Sequence, residues 1–313
     1  MEEVVKAGAD AIKIQTYTHD TMTIDCDNDD FQIKGGLWDG QSLYELYKKA
    51  HLPWEWNELL FNKAKELGIT IFSTPFDSSA VELLEDLNAP AYKIASFELI
   101  DLPLIAKVAQ TGKPMIISTG MGNLEEIEEA ITTAKENGCK ELIVLHCVSG
   151  YPVSASEYNL LTVADIAQRF NVLSGLSDHT IENATSVASV ALGACLVEKH
   201  VTLDRNGGGA DDSFSLEPDE FAALCKDTKT AWEAIGKVNY EKTDAEKGNV
   251  GFRRSLYVVK DMKVGELFTS ENVRSIRPGY GIAPKFYDDI IGKLAKIDIV
   301  KGTALKLDYV EMD

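Results

Sequence analysis

Two histidines, in GLSDHT (175–180) and VEKHVTLD (197–204), each stand where a short apolar run ends, one strand-to-strand repeat apart. Neutral imidazole is the commonest side-chain ligand for first-row divalent ions, and a pair of them leaves positions open for substrate and water. His179 and His200 are therefore candidate metal ligands; the alternative for each is a hydrogen-bonded structural role. Two lysines, Lys13 in AIKIQTY and Lys93 in AYKIAS, sit inside largely apolar runs. An ammonium group is costly to bury unless an anion meets it, which points to a phosphate or carboxylate ligand. The competing reading is a structural ion pair with a rim carboxylate such as Glu98 or Asp178.

These residues have to be positioned by something, and seven runs rich in apolar or β-branched residues recur: 11–17, 69–76, 91–96, 114–119, 142–147, 171–178 and 195–202. They are near-continuous rather than alternating, as strands buried on both faces should be. Helical patterns with clear punctuation lie between them. Asn123 with Glu126 forms a capping-box signature closed by Gly138, and Pro53 opens a helix that ends at Gly68. Repeated strand and helix predict a parallel sheet with helices outside, a (β/α)8 TIM barrel in which one strand is to be accounted for. An open doubly wound sheet, which needs no eighth strand, is the alternative. MEEVVKAGAD reads as the end of an amphipathic helix, so the expectation is that the first strand and most of the first helix are missing.

Barrel chemistry sits at the C-terminal rim. The strand ends there supply Lys13 and Gln15, Thr74, Lys93, Ser96 and Glu98, Ser118 and Thr119, His146, Ser149 and Tyr151, Ser177, Asp178 and His179, and Glu198, Lys199 and His200. His146 reads as a supporting or core residue, because it closely follows an apolar run. The loop NGGGADDSFSLEP (206–218) lacks the GK[ST] ending of a phosphate loop and its acidic residues would repel phosphate. It reads as a substrate loop carrying Asp211, or else as a plain solvated turn.

The chain has 313 residues and a formal charge of −19, which argues against a nucleic-acid partner. No apolar stretch is long enough to span a bilayer, so no membrane partner and a cytoplasmic location are expected. Five cysteines without CxxC spacing read as reduced, mostly buried thiols, with a nucleophilic Cys147 as the alternative. From about Phe252 the pattern changes to short strand-like pieces, SLYVVK and LKLDYVE, with turns at KVGE and KGTA. The expected organisation is a barrel domain over 1–238, a polar linker over 239–250 and a small, mostly-β domain over 251–313.

Taken in order, KIQTY, FSTPFD, AYKIAS, ISTGM, LHCVSGYP, GLSDHT, EKHVTLD and RPGYGI resemble the sialic acid synthase family. The resemblance spans essentially the whole chain. GLWDGQSLYELYKKAHLPWEW, DDSFSLEP and FRRSLYVV look most like the branch that acts on 2,4-diacetamido-2,4,6-trideoxy-L-altrose; the N-acetylneuraminate and legionaminate branches are the runners-up. It implies a barrel followed by an antifreeze-like SAF domain, condensation of phosphoenolpyruvate with an amino-sugar aldehyde, and a domain-swapped homodimer. It also implies that Lys13, Thr74, Lys93, Ser96 and Ser177 hold phosphoenolpyruvate, with Ser149 where sialate synthases tend to carry Asn. His179 and His200 would hold a divalent ion, Mn²⁺ first and Mg²⁺ or Co²⁺ next, and act in catalysis. Tyr151, Asp211 and Arg277, with Gln15 on the rim, fall to the sugar. Glu98 is the candidate for proton transfer at the sugar oxygen. Family members begin with a strand ending in an AE(I/L)xxNH-type motif, whose glutamate competes for that role; the motif does not occur here. Two readings of other classes stand beside this one: a metal-dependent hydrolase on the same barrel, and a truncated, inactive paralogue.

Overall fold

The computed structural model describes residues 1–311. Seven strands form one sheet: β1 (Ala11–Thr16), β2 (Thr70–Pro75), β3 (Tyr92–Ile94), β4 (Met115–Ser118), β5 (Leu142–Cys147), β6 (Leu173–Asp178) and β7 (Val197–Lys199). Each pairs in parallel with the next, in sequential order from β1 to β7. A doubly wound sheet would reverse its strand order at a switch point, so this is barrel winding, with seven strands among the described residues.

Side-chain parity along the strands separates two faces. Tyr92, Ile94, Met115, Ile117 and Val144 point outward and pack with helix residues such as Leu84, Ile105, Ala130 and Ile166 in the main core. Phe72, Ile116 and Leu145 point inward and close a smaller apolar floor with Ala91, Ile143 and Leu196. Gly175 on β6 belongs to that floor. A Cβ there would lie 2.3 Å from the Leu196 carbonyl oxygen and 2.7 Å from Leu145 Cδ2, so only glycine lets β6 and β7 close over it. Two residues beyond the floor the inward positions turn polar, with Thr74, Ser118 and Ser177.

The helix Leu124–Glu136 has the expected capping box: Asn123 Oδ1 accepts from the Glu126 amide at 3.0 Å, and Glu126 Oε2 accepts from the Asn123 amide at 2.8 Å. The helix before β2 differs from expectation. It runs Trp56–Leu67, and Pro53 lies in the preceding turn, where its carbonyl accepts from the Trp56 amide at 2.9 Å. Gly68, at φ 70, ends it as expected.

The chain divides into two compact units, Met1–Gly236 and a second from Lys237 onward. In the second, β8 (Ser255–Val258) and β9 (Val273–Ile276) pair antiparallel around a core of Leu256, Phe268, Val273, Ile290 and Leu305. SLYVVK is a strand as expected, whereas LKLDYVE forms a 3₁₀ turn, Leu307–Tyr309, and an isolated bridge from Val310 to Ala295. Leu305, Leu307 and Tyr309 alternate, yet the buried residues are Leu305 and Val310, which are of opposite parity, and Leu307 is exposed. The thiols also correct an expectation: Cys139 and Cys147 are buried, Cys26 and Cys225 half-buried, and Cys195 exposed.

Candidate active site

β6 and β7 define the site rung by rung. Ser177 faces Glu198 and Asp178 faces Lys199 across the register, and His179 and His200 follow at the next position. Parity sends the first and third rungs inward and the second outward. Inward, Ser177 Oγ donates to Glu198 Oε1 at 3.2 Å, and the two imidazole centroids stand 5.3 Å apart. Outward, Lys199 Nζ meets Asp178 Oδ2 at 2.9 Å, both side chains fully buried. Asp178 and Lys199 therefore do not converge on the cavity, contrary to a reading that sends every rim residue inward.

The two lysines do converge. Lys13 Nζ lies 3.0 Å and Lys93 Nζ 3.6 Å from the same oxygen, Glu198 Oε1. Their protein partner is Glu198, not Glu98 or Asp178. One carboxylate between two ammonium groups leaves the cluster with net positive charge. Burial pulls the Lys93 ammonium down to about 8, against the opposing pull of Glu198. Burial works to raise the Glu198 carboxyl, and Lys13 and Lys93 overcome it, holding it well below the ordinary carboxylate range. Lys93 and Glu198 are thus both charged at neutral pH.

Around this cluster lie hydroxyls without protein partners. Thr74 Oγ1 and Ser118 Oγ are buried and unbonded among the described residues, as is Glu98 Oε2. A buried polar atom left unpaired is costly, and three at one rim are the signature of a ligand site. Ser96 Oγ and Ser149 Oγ share a hydrogen bond of 2.9 Å. The turn after β4 passes close to them at Gly120, with φ 50, where a Cβ would lie 2.3 Å from Ser96 Cβ and 2.7 Å from Ser149 Oγ. Burial pushes the Glu98 carboxyl up to about 7, with its own backbone amide and Lys93 opposing. That is a carboxyl poised to exchange a proton near neutrality.

Tyr151 packs on His179 at 4.4 Å, with His200 at 6.1 Å and Phe214 at 5.1 Å from its ring. His200 Nδ1 is 3.5 Å from Asp211 Oδ2, so the acidic loop reaches the second imidazole. Gln15 is half-buried and sits beside Thr74 in register. His146 has outward parity and its Nε2 is engaged by the Tyr158 carbonyl, the supporting place expected for it. Burial raises the Cys147 thiol, which removes the thiolate a nucleophile would need. Arg277 lies on the second unit, exposed, in the turn whose Pro278 carbonyl accepts from Ser255 Oγ at 2.7 Å.

Residues 1–240 match the NeuB family, and 253–311 match a SAF domain. The chain belongs to the NeuB family. Among its NeuB relatives, a pseudaminic acid synthase of Campylobacter jejuni is 45% identical over 301 residues, covering 96% of this chain and 88% of the relative. A pseudaminic acid synthase of Helicobacter pylori is 40% identical, covering 99% and 92%. The crystal structure of an N-acetylneuraminic acid synthetase from Leptospira borgpetersenii, in complex with citrate, superposes with a TM-score of 0.70 at 29% identity, covering 80% of this chain and 82% of that one.

The divalent ion read from the sequence can be tested against this NeuB chain's own donors. His179 Nδ1 donates to the Val148 carbonyl at 2.8 Å, which leaves the Nε2 lone pair free to ligate. Burial, then the neighbouring His200, pulls His179 down to about 4, so the ring is neutral and able to bind metal. No cluster of three or more His, Cys, Asp and Glu is gathered among the described residues. The protein thus offers two imidazoles, and the fit is to a cation that keeps other positions for substrate and water. Glu198 is the residue that sequence reasoning left without a role. The signal was its parity, since it shares an inward face with His200.

Proposed function

We propose that this chain is a pseudaminic acid synthase, joining phosphoenolpyruvate to 2,4-diacetamido-2,4,6-trideoxy-L-altrose and water to give pseudaminic acid and phosphate. The observation that carries this reading is 45% identity to a synthase of that name over 96% of the chain. The site supports it: an anionic donor suits Lys13 and Lys93, with Glu198 orienting both ammonium groups before substrate arrives. Thr74, Ser96, Ser149 and Ser177 supply hydroxyls to phosphate and carboxylate oxygens.

In the reaction, C3 of phosphoenolpyruvate bonds to the aldehyde carbon of the open-chain sugar, the carbonyl oxygen gains a proton, water adds at C2, and cleavage of the C2–O bond releases phosphate. Glu98 holds the proton for the nascent hydroxyl, and Lys13 and Lys93 stabilise charge on the departing phosphate. His179 and His200 would hold Mn²⁺, which supplies Lewis-acid polarisation when bound. Tyr151, Asp211 and Gln15 bound the sugar side, with Arg277 delivered from the partner subunit in a swapped homodimer working in the cytoplasm. The test is mass spectrometry of the product formed by the purified full chain from phosphoenolpyruvate, the altrose aldehyde and Mn²⁺. A nine-carbon acid with both acetamido groups is expected; turnover of amide or ester substrates without phosphoenolpyruvate would favour a hydrolase instead.

A further inference from the structure

Between the two inward rungs of β6 and β7 lies an outward one that touches no substrate position, yet it is among the most heavily bonded features of the fold. Asp178 and Lys199 are cross-strand neighbours with 0% and 2% of their side chains exposed. Asp178 Oδ2 also accepts from Ser186 Oγ at 2.5 Å, and Oδ1 from the Thr180 amide at 2.8 Å. Lys199 Nζ donates further to the Thr180 carbonyl, to Thr180 Oγ1 at 3.2 Å and to the Glu182 carbonyl at 3.3 Å. Thr180 Oγ1 in turn donates to the Glu182 carbonyl at 2.9 Å. The pair thus gathers the end of β6 and the turn after it and, through Ser186 on Asp178, the following helix, Ala184–Ala191.

His179 lies between Asp178 and Thr180 in sequence, and His200 follows Lys199. Each imidazole is therefore attached to backbone held on its outer side by this network. A buried ion pair is a poor source of net stability, because desolvation offsets its attraction, but it is sensitive to geometry and so defines register. Apolar residues would fill this rung without fixing the separation of the two strand ends. A bidentate imidazole site depends on that separation, since ligand atoms must converge within a few tenths of an ångström.

We infer that the Asp178–Lys199 pair is a positioning device for the two histidines: it pins the ends of β6 and β7 together and thereby sets the affinity of His179 and His200 for a divalent cation. The inference rests on the proposed metal site, and the two fail separately in the following experiment. Mn²⁺ binding to the full chain is titrated by electron paramagnetic resonance of the free ion, without substrates, and phosphoenolpyruvate affinity is measured calorimetrically in parallel. His200→Ala is expected to abolish Mn²⁺ binding. The neutral double variant Asp178→Asn with Lys199→Gln, which leaves no charge buried alone, is expected to weaken Mn²⁺ binding about tenfold or more, the usual effect of losing outer-shell support. Its phosphoenolpyruvate affinity is expected to stay as in the native protein, because Lys13, Lys93 and Glu198 face the other way. Ser186→Ala, which removes one bond to Asp178 and no charge, is expected to weaken Mn²⁺ binding in the same direction, and decides the matter if the double variant does not fold. Native Mn²⁺ affinity in the folded variants would overturn the inference while leaving the metal site intact. An equal loss of both affinities would also overturn it, by marking the pair as merely structural. A native protein that binds no Mn²⁺ would remove the metal site and the inference with it.

Discussion

Glu98 is the proposed proton-transfer residue of the candidate site. Its carboxyl is half-buried, has one oxygen without a partner among the described residues and is pushed up from 4.5 to about 7. The folded protein therefore binds a proton there that the unfolded chain releases. The stability this contributes is present below about pH 4.5 and lost as pH rises towards 7. Glu98→Gln should accordingly stabilise the protein at pH 8 by about 1–3 kcal/mol and change little at pH 4.5, as thermal melts at the two pH values would show. The same variant should lose about 10²- to 10⁴-fold in kcat, the usual worth of a general acid. Equal kcat with and without the carboxyl would assign proton transfer elsewhere. Glu198 has the opposite character. Glu198→Gln leaves two ammonium groups facing each other and should cost about 3–5 kcal/mol, part of which phosphoenolpyruvate restores by supplying the missing anion. A melt showing a larger ligand-induced shift in the variant than in the native protein is the readout. Lysines inside apolar runs and histidines at the ends of such runs made Lys13, Lys93, His179 and His200 stand out in the sequence. Ser118 was legible only as a rim position, because a serine at a strand end looks like any turn residue, and its unpaired hydroxyl exists only once neighbours are packed around it.

At the level of elements, what the sequence carries is period. Near-continuous apolar runs located all seven strands, and Asn123 with Glu126 located the start of a helix. Period alone did not separate inward from outward residues at the rim, since that needs the register of one strand against the next. Hence Asp178 and Lys199 were grouped with cavity residues although they face the helices. LKLDYVE misled for a related reason: Leu305, Leu307 and Tyr309 alternate as in a strand, but burial falls on Leu305 and Val310, on either side of a 3₁₀ turn. The loop after β4 gives a direct test of how closely elements must approach. Gly120→Ala places a Cβ against Ser96 and Ser149 at a positive φ, and should raise the KM for phosphoenolpyruvate about tenfold, equivalent to about 1.4 kcal/mol, in a protein that still melts cooperatively. Unchanged KM would show that this turn moves freely and takes no part in holding the donor.

In the whole molecule a barrel-wound sheet carrying the candidate site is followed along the chain by a small domain carrying Arg277. Among the described residues no helix is long and apolar enough to cross a membrane. If Arg277 completes the site of a partner subunit, two inactive variants should rescue each other. Mixing Arg277→Ala with Lys93→Ala should restore about a quarter of native activity, because half the dimers are mixed and each has one complete site. No recovery after subunit exchange would place Arg277 in its own chain's site or outside it. The central claim, that this cavity couples phosphoenolpyruvate to one particular amino sugar, is tested most directly by the rate of phosphate release from phosphoenolpyruvate in Mn²⁺ with each candidate aldehyde. Release that depends on 2,4-diacetamido-2,4,6-trideoxy-L-altrose, with little on N-acetylmannosamine, is the expected result; release with N-acetylmannosamine alone, or with no aldehyde at all, would contradict it.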